Sequence, residues 1–183
     1  MQGLLAVSRV IDFINEKIGK AMGWLVLAAV LVSSINAVVR FSINRSSNSW
    51  LELQWYLFGA VFLLGAAYTF KQNEHIRIDI VSSRLSKRTR DWIDVIGHVF
   101  FLAPLCIVVI YLSIPFFLRS FEQGEMSSSA GGLIVWPAKL LVPLGFLLLL
   151  AQGISELIKR IAIIRGEMED PRAEQPAAHG AVE

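Results

Sequence analysis

Long blocks of apolar residues alternate along this chain with short polar stretches, and the length of the blocks decides what they are. A helix rises about 1.5 Å per residue and the hydrocarbon core of a bilayer is about 30 Å thick, so a crossing needs roughly 20 mostly apolar residues. Blocks at 22–41, 51–70, 93–117 and 133–154 meet that length or come close to it. Lipid offers backbone amides and carbonyls no partner, so each block is predicted to be α-helical. The pattern therefore predicts an all-α integral membrane protein with four transmembrane helices. Trp24, Trp50, Trp55, Trp92 and Trp136 fall near the predicted ends, where amphipathic rings suit the headgroup level.

Two stretches outside the blocks are amphipathic. Leu4, Val7, Ile11, Ile14 and Ile18 recur at helical spacing, with Arg9, Asp12, Glu16 and Lys17 on the other faces, which predicts an interfacial helix before the first span. Ile76, Ile80, Val81 and Leu85 sit among basic residues between spans two and three and predict a second. Lys17 and Lys20 ahead of the first block imitate a signal peptide, but the run continues to Val39, longer than a usual signal core, and is read as a span. The connection 123–132 is rich in Ser and Gly and is expected to be mobile. Residues 1–165 thus form one membrane domain, and 166–183, polar and rich in Pro and Ala, are expected to be a disordered tail.

Charge orients this layout. The chain is 55% hydrophobic with a formal net charge of +2, so neither nucleic acid nor a strongly acidic partner is implied. Thirteen of the 17 Lys and Arg residues lie before the first span, between spans two and three, or after the fourth, against Arg40, Arg45 and Arg119 on the opposite side. Positive charge in short loops stays cytoplasmic. Both termini and the middle connection are accordingly assigned to the cytoplasm. The single cysteine, Cys106, rules out an internal disulfide or a Cys-x-x-Cys pair.

Polar groups within a bilayer are costly, so each is a candidate for function or for holding helices together. Ser33, Ser34 and Asn36 in the first span read as interhelical hydrogen-bonders, and Gly59, Gly65, Ala66 and Ala67 in the second as close-packing surface. Asp94 and His98 are four apart, as are His75 and Asp79, so each pair shares a helix face. An ion pair, a helix cap or a proton relay are the readings open to them. Lys139 lies roughly 9 Å below Leu133, and it must snorkel outward, pair with Glu52 in the same leaflet, or meet a charge on another chain. No catalytic triad, phosphate-binding loop or metal-ligand cluster is present in the sequence, and no catalytic, cofactor or metal role is assigned.

The order of short motifs adds to this reading. Leu51-Glu52-Leu53-Gln54, then Gly65-Ala66-Ala67, Lys71 and His75-Ile76-Arg77-Ile78-Asp79, followed by Trp136-Pro137-Ala138-Lys139 and Pro143-Leu144-Gly145-Phe146 in the last span, resembles the small membrane subunit of tripartite ATP-independent periplasmic (TRAP) transporters. The resemblance covers about 17–160. It implies a non-catalytic scaffold for a larger, elevator-type membrane subunit that carries the sodium and substrate sites, with membrane lipids around the pair. A soluble periplasmic protein would deliver the substrate, usually an organic acid, through transient contact. A second reading is a four-helix anchor of a redox complex binding b-haem or quinone, for which His75 and His98 would be the haem ligands. A free-standing small transporter is a third, and the scarcity of polar residues at mid-depth weighs against it.

Overall fold

The computed structural model describes residues 2–43, 47–72 and 86–168. Among them are four helices long and apolar enough to cross a membrane. Helix α1 is Gln2–Ile43, α2 is Asn48–Gln72, and α4 is Trp136–Ile164. Helix α3 runs through Lys87–Gly97, a π-helical turn at His98–Leu102, and Ala103–Glu122. The helices outrun the apolar blocks because backbone hydrogen bonding, once nucleated, continues until a breaker or a cap stops it.

The clearest consequence is at the N-terminus. The amphipathic stretch expected as a separate interfacial helix is the first half of α1, which has 42 residues without a break. At about 1.5 Å per residue it is about 63 Å long, twice the hydrocarbon thickness. No proline separates Ile18 from Trp24, and the two glycines there cost the helix only about 1 kcal/mol each. Gly19 also has a packing reason: a Cβ at this position would fall inside the ring of Tyr68 on α2. The second predicted interfacial helix falls mostly outside the described residues, and from Lys87 onward the chain is already α3.

Two prolines set other local features. Pro104 has no N–H for the carbonyl of Phe100, and the helix absorbs the defect with a π turn in which the Ala103 N–H bonds to the His98 carbonyl. Pro137 sits in the first turn of α4, where a missing N–H costs nothing. That start leaves 133–135 outside the helix, although the apolar block included them. Ile134 instead makes an isolated antiparallel bridge with Met126.

Helix α4 is the hub of the bundle. It packs against α1, α2 and α3, while α1 and α2 also pack on each other and α3 rests mainly on α4. Gln2, Gln72, Lys87 and Ile164 lie at one end of the bundle, here the terminal end; Ile43, Asn48 and the 122–136 connection lie at the far end. Close approach to the hub depends on small residues. A Cβ on Gly145 would come 2.8 Å from the Leu63 carbonyl oxygen, and one on Gly153 would come 2.7 Å from Leu102 Cδ2. Gly65, the glycine expected to serve this purpose, is looser, since a Cβ there meets Met22 Cγ at an ordinary 3.7 Å.

The interior inverts the pattern of a water-soluble protein. Buried positions are Ala29, Ala60, Ala67, Cys106 and Ala162 together with Ser8, Asn15, Gln152 and Ser155, whereas Trp24, Trp55, Phe62, Phe101 and Tyr111 face outward. Lipid chains are as apolar as leucine, so hydrophobicity does not sort side chains inward in a membrane, and packing and hydrogen bonding take over.

Candidate functional site

Polar side chains gather at the two ends of the bundle. At the terminal end, Ser8, Asp12 and Asn15 on α1 and Gln152, Ser155, Glu156 and Lys159 on α4 recur at three- and four-residue spacing, so each set forms one stripe. The stripes face each other. Ser8 Oγ and Ser155 Oγ lie 2.7 Å apart, and Asn15 Nδ2 donates to Gln152 Oε1 at 2.8 Å. Asp12 is the centre: its Oδ1 accepts from Ser155 Oγ at 2.7 Å and Gln152 Nε2 at 2.9 Å, and its Oδ2 from Lys159 Nζ at 3.0 Å. Burial alone would push the Asp12 carboxyl up, but the bonds from Ser155, Gln152 and Lys159, with the charge of Lys159, hold it below the ordinary value of 3.8.

This network extends to the other two helices. Glu16 of α1 accepts from Lys20 at 2.6 Å and from Lys71 of α2 at 2.7 Å, and those bonds, Lys20 first, lower its carboxyl to about 2. Arg160 of α4 is nearly buried and reaches Asp91 Oδ1 of α3 at 3.2 Å and Asp94 Oδ2 at 3.5 Å. A guanidinium is the cation suited to this position because its rigid fork serves two carboxylates at once. Asp94 therefore faces Arg160. His98 reaches only the Asp94 backbone carbonyl, to which its Nδ1–H donates, and its ring lies 5.3 Å from that of Phe70. His75 and Asp79 lie outside the described residues.

At the far end the connection 123–135 is built, not loose. Glu52 on α2 accepts from the Leu133 N–H at 2.7 Å and from Ser127 Oγ. Asn48 Nδ2 donates to the Ala130 carbonyl at 3.0 Å, Ser49 to that of Gly131, and Tyr56 to that of Ile134 at 3.2 Å. The expected mobility is thus corrected: composition registers the Ser and Gly residues, but not the donors and acceptors that α2 supplies to them. With Glu52 so engaged, the Lys139 to Glu52 pairing weighed from the sequence does not form. Lys139 pairs with Glu125 of the connection and lies 4.0 Å from the centre of the Phe116 ring. It snorkels outward to a charge that its own loop supplies. The bond from Lys139 lowers the Glu125 carboxyl. Trp136 meets the Phe121 ring edge-on at 5.3 Å and closes the α3–α4 contact beside it.

Sequence reasoning overlooked Gln152, Ser155 and Arg160. The first two were visible as polar interruptions at the close of an apolar run; Arg160 passed as one more cation of the tail. The arrangement holds helices in register, and among the described residues no group of three or more His, Cys, Asp or Glu is placed to hold a metal ion.

The family model for tripartite ATP-independent periplasmic transporters, DctQ component, matches residues 12–162. That span opens at Asp12 and closes within the last turn of α4. No curated protein and no solved structure gives a significant match.

Proposed function

The chain belongs to the DctQ-component family of tripartite ATP-independent periplasmic transporters, and from that premise we propose that it is the non-catalytic scaffold against which a larger membrane subunit is anchored. In this reading the larger subunit moves an organic acid with sodium, a soluble periplasmic protein delivers the substrate by transient contact, and both ends of the present chain face the cytoplasm of a bacterial inner membrane. One observation carries the scaffold role. Helix α3 rests mainly on α4 and leaves Leu105, Val108, Tyr111 and Leu112 exposed at mid-helix, a broad apolar surface suited to lipid or a partner helix. At the two ends, meanwhile, Lys71 pairs with Glu16, Lys159 with Asp12, Arg160 with Asp91 and Lys139 with Glu125. A solute path needs unspent polar groups at mid-depth to replace lost hydration. The orientation rests on the basic residues of the terminal end.

Reconstitution tests the proposal. The chain, the larger subunit that co-purifies with it, or both together are placed in liposomes with the binding protein and a sodium gradient, and uptake of organic acid is followed. Uptake is expected only with both subunits present. Sodium-dependent uptake by this chain alone would defeat the scaffold reading, and so would full activity of the larger subunit without it.

A further inference from the structure

A cleft of ≈ 480 Å³ opens between α1 and α2 near the far end, lined by Ser33, Asn36, Arg40 and Phe41 of α1 and by Leu51 and Gln54 of α2. Asn36 is only 9% exposed, yet its amide hydrogen-bonds no other described side chain or backbone group, and the same holds for Arg40 and Gln54. The carboxylates Asp12, Glu16, Glu52, Asp91 and Glu125, by contrast, all have partners. The Asn36 amide and the exposed Arg40 guanidinium, without partners among the described residues, are thus free to meet a ligand at the cleft.

The unmet groups have an order in depth. Arg40 is outermost, and Asn36 follows one turn deeper, about 6 Å along the helix; Gln54 faces them from α2. Phe41, 93% exposed, and Leu51 add apolar surface at the mouth. We propose that this cleft binds the headgroup region of a glycerophospholipid, with its phosphodiester on Arg40 and its ester carbonyls accepting from the Asn36 and Gln54 amides. Guanidinium pairs well with phosphate oxygens through parallel N–H bonds. The glycerol esters of a lipid lie below the phosphate, toward the hydrocarbon, as the two amides lie below Arg40. Inorganic phosphate satisfies the guanidinium but leaves both amides and the apolar mouth unserved. Among the lining residues there is one cation and no carboxylate to receive an ammonium. A headgroup with a single net negative charge, phosphatidylglycerol, is therefore bound in preference to phosphatidylethanolamine.

Native mass spectrometry of the full chain, released from bilayers of equal phosphatidylglycerol, phosphatidylethanolamine and phosphatidylcholine, reads the bound lipid directly. A retained phosphatidylglycerol adduct is expected, weakened about tenfold in Arg40→Gln and Gln54→Leu, the loss of one charge-assisted or buried hydrogen bond, and unchanged in Lys17→Gln at the other end. The two cleft variants lie on different helices, and circular dichroism checks that each remains folded. Equal retention of the three lipids by the wild-type chain would overturn the proposal without recourse to any variant. Displacement of the adduct by millimolar inorganic phosphate would make the cleft a small-anion site. An adduct present on the isolated chain but absent from its complex with the larger subunit would assign the cleft to a partner's side chain, and that result too would overturn the lipid.

Discussion

Replacing Asp12 by Asn changes little in shape and removes the centre of the α1–α4 contact. The amide loses the charge that Lys159 Nζ meets at 3.0 Å, and its NH2 brings a donor to a place where Ser155 Oγ, Gln152 Nε2 and Lys159 all donate. A hydrogen bond to a charged group is worth about 1.5–3 kcal/mol net, and an unsatisfied buried donor costs about 1–3 kcal/mol. The Asp12 side chain is 19% exposed, so solvent recovers part of this, and a destabilisation of about 2–3 kcal/mol is expected. For a chain of this length that corresponds to a fall of roughly 4–12 °C in Tm, measurable by tryptophan fluorescence during heating in mild detergent. pH supplies the second arm. The Asp12 carboxyl is held below 3.8 in the folded chain, so the unfolded state binds its proton first as pH falls. The stabilisation is complete above the unfolded value and is lost as pH drops through the folded one. The gap between wild type and Asp12→Asn should therefore be constant above about pH 5 and narrow below about pH 4. A Tm within 1 °C of wild type, or a gap that stays constant to low pH, would refute the network as a source of stability.

Three other outcomes are expected. Glu125→Gln and Lys139→Met should couple by about 0.5 kcal/mol or more in a double-mutant cycle of thermal stability, whereas Glu52→Gln and Lys139→Met should be close to additive; the opposite result would restore the pairing weighed from sequence. Gly145→Val should destabilise the bundle by about 1–3 kcal/mol through overpacking against Leu63, while Gly65→Ala, whose Cβ would meet Met22 at an ordinary van der Waals distance, should be neutral or slightly stabilising by chemical denaturation. With Cys106 replaced, a cysteine at Gln123 should react with an impermeant thiol reagent in intact cells and one at Arg88 should not, and the reverse labelling would invert the proposed orientation.

The four spans and the likeness to a transporter subunit were legible in the residues alone, because an apolar block long enough to cross a bilayer is a local property. The first turn of α4 was not: the apolar block began at 133, and the bridge made by Ile134 together with Pro137 sets the start at Trp136. What the sequence could not reveal was direction. The stripe Leu4, Val7 and Ile14 was expected on a membrane surface, and each is about half exposed, but nothing in it announced that Ser8 and Asn15 are buried. Polar side chains are the scarce adhesive in a membrane, and the face that carries them turns to whichever helix offers complementary groups. Asn15 finds Gln152 across 137 residues of chain, Glu52 finds Ser127 and Leu133 across 75 and 81, and Arg160 finds Asp91 across 69. Each residue type was plain in the sequence, but only the packing of α4 among the other helices decided its partner, because hydrophobicity no longer distinguishes inside from outside once lipid replaces water.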